Sequence, residues 1–121
     1  MRGKERVLGI GGYFFRSRDP RALALWYDVH LGVGLTPTDY DHGSWRQAEG
    51  PTVFEPFPAD TTYFGRPEQQ WMINFRVSYL AAMVEVDEQE YPNGVFALTH
   101  DPEGNPIQLW EPRGSAAEAR S

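Results

Sequence analysis

Cysteine is absent from the 121 residues, which excludes a disulfide framework and a thiol nucleophile. No run of 18 apolar residues occurs, so no membrane-spanning segment is expected. Basic residues are scarce: 11 Lys and Arg stand against 17 Asp and Glu, the net charge is −6, and no Lys/Arg cluster forms. Nucleic acid and anionic membranes are therefore not expected partners. The opening Met-Arg-Gly-Lys-Glu-Arg lacks a signal-peptide pattern, and the expected compartment is cytoplasmic. Gly9, Gly11 and Gly12 fall inside a strand-like run and match no nucleotide-binding loop. No Ser-His-Asp set follows from spacing.

The chain is 40% hydrophobic and 14% aromatic, enough for one compact domain with a modest core. Residues 7–16 read as a strand. Asp19-Pro20 opens a helix, Asp19 as N-cap and Pro20 at its first position, and Leu23, Trp26, Tyr27 and Leu31 carry helical spacing up to a C-cap at Gly32. Short strands are expected at 34–37, 44–48 and 52–57, then a polar connector at 58–70. Further strands are expected at 71–77, 84–87, 94–99 and 106–111. In the last pair, two apolar runs flank Asp101-Pro-Glu-Gly-Asn-Pro106, whose Asp-Pro and Gly-Asn steps are turn formers, so a β-hairpin closes the chain.

The order strand, helix, three strands is thus expected twice. The closing string D-P-E-G-N-P-I-Q-L-W-E-P resembles the final hairpin of the glyoxalase / bleomycin-resistance / dioxygenase proteins, the vicinal oxygen chelate superfamily. G-G-Y-F-F-R-S-R-D-P, F-P-A-D-T-T-Y-F-G and W-M-I-N-F-R-V extend the resemblance over roughly residues 7–112. It implies an α+β fold of paired βαβββ modules: module one at about 7–57, module two at about 71–112, and a tail at 113–121. It also implies that one sheet face lines a cup for metal and substrate.

Strand alternation divides the faces. Tyr13, Phe15, Ile73, Phe75, Val77, Ile107 and Leu109 take the side that helices cover. Phe14, Val53, Glu55, Phe57, Met72, Asn74, Gln108 and Trp110 take the cup side. Metal-using relatives place His and Glu ligands at positions matching Gly12, Glu55 or a neighbour, Met72 and Gln108. Glycine has no donor and a thioether is a poor ligand for hard or borderline cations. No metal and no other cofactor is expected. His30 suits a helix C-terminus, His42 lies in an Asp-His-Gly turn, and His100 precedes the closing turn; none reads as a ligand. Phe14, Phe57, Met72, Asn74, Gln108 and Trp110 make an apolar site with polar anchors for a small organic molecule, or else a filled space between modules. Glu55 is the candidate general base of a glyoxalase-type lyase or isomerase, or else pairs with Arg16, Arg46 or Arg76 or meets solvent at the rim.

One departure from the resemblance concerns residues 78–83. At about 1.5 Å per residue this link allows at most a turn or two of helix, about 9 Å, so the second crossover helix is expected to be truncated. Ile73, Phe75, Val77, Phe96, Ile107 and Leu109 would then lose cover. The expectation is a homodimer, formed by contact or by strand exchange, with a non-catalytic dimeric scaffold as a further alternative.

Overall fold

The computed structural model describes residues 6–83 and 89–114. The expected strand at 84–87 lies outside them. The described chain is α+β: one α-helix, one short 3₁₀ turn and a four-stranded mixed sheet.

Helix α1, Pro20–Leu31, begins where local chemistry starts it. The Asp19 carboxylate accepts from the Ala22 N–H at 3.2 Å, and Pro20 loses no bond at the first helical position. Gly32 ends it at φ 71°, a left-handed cap that glycine adopts without steric cost. Its inward side chains, Leu23 and Tyr27, are buried.

The sheet comprises β1 (Ile73–Arg76), β2 (Gln89–Tyr91), β3 (Gly94–His100) and β4 (Pro106–Pro112), in spatial order β1-β4-β3-β2. β4 pairs antiparallel with β3 and parallel with β1. The register places Ile73 beside Ile107, Phe75 beside Leu109 and Ala97 opposite Leu109 on one face. Asn74 beside Gln108, and Phe96 opposite Trp110, lie on the other. The closing hairpin is therefore formed as its sequence predicts.

The expectation of an uncovered sheet face is corrected. Leu23 and Tyr27 of α1 pack with Val95, Ala97, Ile107 and Leu109, and Ile73, Phe75 and Val77 flank that cluster half-buried. The Tyr27 ring lies 6.2 Å from Phe75. The link itself contributes: the 3₁₀ turn Leu80–Ala82 inserts Leu80, fully buried at 0% exposure, into the same core. Its N–H donates to Glu111 Oε1 at 2.8 Å. The short link need not return beside β1, because β2 lies at the opposite sheet edge, about 14 Å away at the usual strand spacing. Phe96 was expected on this face; the register turns it to the other, where it stacks on Trp110.

A second correction concerns residues 6–72, which contain α1 and no strand. The strands expected at 7–16, 34–37, 44–48 and 52–57 are irregular. Strand pattern produces strand only where a ladder of backbone partners exists. Among the described residues the first half pairs with no strand of the sheet: Phe14 is 92% exposed, and Val7, Leu8, Val53 and Phe54 are also exposed. Beside β1, the Ala48 carbonyl accepts from the Arg76 guanidinium at 2.9 Å.

Asp101 fastens α1 to the closing turn. It is 5% exposed. Its carboxylate accepts from Tyr27 OH at 2.7 Å, Asn105 Nδ2 at 2.7 Å, and the backbone N–H groups of Glu103 and Asn105. Glu103 in the same turn accepts from Ser17 Oγ at 2.7 Å and from the N–H groups of Arg18 and Asp19.

Candidate aromatic pocket

A pocket of about 530 Å³ opens on the sheet face opposite α1, lined by Phe57, Tyr63, Tyr91, Pro92, Asn93, Phe96 and Gln108. Three segments build it. The sheet supplies Phe96 and Gln108 from β3 and β4. The β2–β3 hairpin supplies Tyr91, Pro92 and Asn93. The connector supplies Phe57 and Tyr63.

The hairpin wall is held by a close approach. Gly94 sits at φ 149°, and a Cβ there would meet the Trp110 indole and the Glu111 carbonyl. Only glycine fits both the backbone and the space. The Trp110 indole N–H donates to the Asn93 carbonyl at 3.1 Å, pinning the hairpin tip to β4. Trp110 is itself buried, 3% exposed, and stacks on Phe96 with centroids 5.8 Å apart and planes 4° off parallel. Tyr91 meets Phe96 edge-on at 5.7 Å and 72°. The hairpin wall is thus a graded aromatic stack, arranged as the ring quadrupoles prefer.

The connector wall is turned by consecutive bends. The Thr61 N–H donates to the Pro58 carbonyl, the Tyr63 N–H to Thr61 Oγ1 at 3.2 Å, and the Gly65 N–H to the Thr62 carbonyl. These turns bring Tyr63 beside Phe57, with centroids 6.0 Å apart at 28°. Phe64 packs on the Phe57 ring at 5.1 Å.

A polar chain crosses the floor. Asn74 Nδ2 donates to Gln108 Oε1 at 2.7 Å, and Gln108 Nε2 donates to the Tyr63 hydroxyl at 2.6 Å. The parallel β1–β4 register sets Asn74 beside Gln108, and the connector brings Tyr63 to the end of the chain.

Among the residues singled out by sequence, Phe57 and Gln108 line this pocket, Asn74 stands one hydrogen bond behind Gln108, and Trp110 supports Phe96 from below. Met72 is half-buried and outside the lining. Phe14 and Glu55 lie on irregular, exposed chain and are not part of its lining. Glu55 makes no ion pair with Arg16, Arg46 or Arg76 among the described residues. The lining residues Tyr63, Tyr91, Pro92, Asn93 and Phe96 carry no strong one-dimensional signal. T-T-Y-F-G reads as connector, and Pro-Asn-Gly as a hairpin turn.

The shifted ionisable groups lie outside the pocket. Burial alone would raise the Asp101 pKa, but the hydrogen bonds from Asn105, Tyr27 and the turn backbone outweigh it and hold the carboxyl below its ordinary value. Burial, reinforced by the Asp101 carboxylate, pushes the Tyr27 hydroxyl well above the ordinary phenol range. Tyr13 is raised by burial and then by the charge of Asp101. The Leu80 N–H is the main influence holding Glu111 low. Among the described residues no three His, Asp or Glu side chains converge as a metal site. His42 instead contacts Asp39 Oδ1 through Nδ1 at 2.8 Å, and His30 lies against the Trp26 ring at 5.1 Å.

Set against models of known protein families, curated protein sequences and solved structures, the chain matches none. Among the described residues no helix is long and apolar enough to cross a membrane.

Proposed function

We propose that this chain is a metal-free, glyoxalase-like protein that binds a small planar aromatic molecule between Phe57 and Phe96. The observation that carries the reading is the pocket: aromatic side chains from three separate segments converge on an open space of about 530 Å³ with an ordered polar floor. That makeup, mostly apolar walls with a few placed polar groups, is what small-molecule sites use. The strand–turn–three-strand order of residues 73–112 supports one βαβββ module, and the D-P-E-G-N-P-I-Q-L-W-E-P string supports the family resemblance. Gly12 and Met72 at two of the family's four ligand positions support a binding role without a metal.

The test is titration of the protein with 2-isopropenylnaphthalene, an apolar two-ring probe, followed by tryptophan fluorescence and by NMR of the Trp110 indole. Saturable quenching, with the indole resonance shifting and binding weakened in Phe96→Leu, is the expected result. A linear, non-saturating response, or binding indifferent to Phe96→Leu, defeats the proposal.

A second reading concerns assembly, and the exposed first half favours it. Val7, Leu8, Phe14, Val53 and Phe54 are exposed apolar side chains on chain without strand partners, while the outer edge of β1 has no strand partner among the described residues. We propose that a second copy is the occupant. An unpaired apolar segment and an open sheet edge on one chain complement each other on two, so a homodimer satisfies both. The expected compartment remains cytoplasmic.

A further inference from the structure

We infer that the pocket selects ligands carrying a hydrogen-bond acceptor, and that Tyr63 is the residue that reads it. This inference rests on the aromatic-binding reading above and adds the polarity of the ligand to it.

The polar floor has a direction. Asn74 Nδ2 donates to Gln108 Oε1, which leaves Gln108 Nε2 as the group facing Tyr63. The Tyr63 hydroxyl therefore accepts from Gln108, at 2.6 Å. A phenol hydroxyl has one proton to give and lone pairs to receive. With its acceptor side engaged, Tyr63 retains its O–H, and among the described residues no protein acceptor takes it. Tyr63 and Gln108 both line the pocket and meet through the Tyr63 hydroxyl, which puts the donor within reach of a bound molecule. Two donors in series polarise the hydroxyl and strengthen what it can donate.

No other lining group opposes this polarity. Gln108 has its amide oxygen and one N–H engaged in the chain, and its second N–H is a donor too. Tyr91 and Asn93 stand at the exposed rim, where water satisfies them and the Asn93 amide can present either end. Phe57, Pro92 and Phe96 offer only apolar surface. The ligand class is accordingly a planar aromatic bearing a carbonyl, nitro, N-oxide or ring nitrogen beside the ring.

The experiment compares three probes on the intact chain by fluorescence titration: 2-acetylnaphthalene, its hydrocarbon isostere 2-isopropenylnaphthalene, and indole, which donates but does not accept. The expected result is that 2-acetylnaphthalene binds about tenfold tighter than its isostere, the size of one good hydrogen bond. Indole should gain nothing from the floor. In Tyr63→Phe, which keeps the ring, the advantage of 2-acetylnaphthalene over its isostere should be lost. Equal binding of the two in the unmodified chain overturns the inference while leaving the aromatic-binding reading intact. So does a preference for indole, or a preference that survives Tyr63→Phe. Saturable binding of no probe at all overturns the aromatic-binding reading and this inference with it.

Discussion

Asp101 is a buried carboxylate that earns no obvious notice in a turn, yet it joins two elements far apart in the chain. Its oxygens accept from Tyr27 on α1 and from Asn105 and Glu103 in the turn. Tyr27→Phe removes one of these donors and leaves a buried acceptor short of a partner, a loss of about 1–3 kcal/mol. Urea denaturation of the variant should show a lower midpoint with an unchanged slope. Since the folded Asp101 pKa lies below its ordinary value, the carboxyl's contribution is complete above the unfolded value of about 3.9. It is lost as pH falls through the folded value. Unfolding midpoints measured from pH 6 down to pH 2 should therefore fall, and the fall should be shallower in Asp101→Asn, which starts less stable. Gly94 is the other residue whose role is steric. Gly94→Ala adds a methyl against the Trp110 indole at a backbone angle unsuited to L residues. The expected cost exceeds about 1 kcal/mol, read as a lowered melting temperature together with altered Trp110 fluorescence.

At the scale of elements, what the sequence made legible is what local chemistry decides. Asp19-Pro20 and Gly32 delimit α1 because a cap and a left-handed glycine act within one turn of chain. The closing hairpin was legible because its turn formers and alternating runs are adjacent. The floor pair Asn74 and Gln108 followed from alternation once those strands were assigned. The four strands expected before residue 58 did not form, because alternation records only a tendency and the ladder partner must come from elsewhere. Tyr63, Tyr91 and Phe96 were missed as pocket residues because their meeting depends on how the connector and the β2–β3 hairpin fold over the sheet. The cover of the sheet was missed for the same reason. Nothing local says that α1 crosses onto β1, β3 and β4, or that Leu80 enters the core from a link of so few residues. Leu80→Ala should cost about 2–5 kcal/mol, as large-to-small changes in cores do. Chemical denaturation is the check, and a cost below about 1 kcal/mol would mean that the 3₁₀ turn is not part of the core.

For the whole molecule, the two halves of the chain differ in kind. Strands β1–β4 make a sheet with one face under α1 and the other open to the pocket. The preceding chain contributes that helix and the connector wall, and otherwise exposes apolar side chains. An arrangement of this sort is expected to associate with itself. Sedimentation at micromolar concentration should return twice the 13.8 kDa chain mass. Phe14→Asp should shift the equilibrium toward monomer while leaving α1 and the sheet intact, since Phe14 is exposed within one chain. A monomer mass at every concentration would contradict the dimer. Binding in the pocket is tested most directly by NMR of the isotopically labelled chain titrated with 2-acetylnaphthalene. Saturable shifts of the Gln108 side-chain amide and the Trp110 indole N–H, converging on one Kd, are expected. If these two groups stay still while resonances of residues 7–14 or 53–54 move, the probe is meeting exposed apolar chain and the pocket does not bind it.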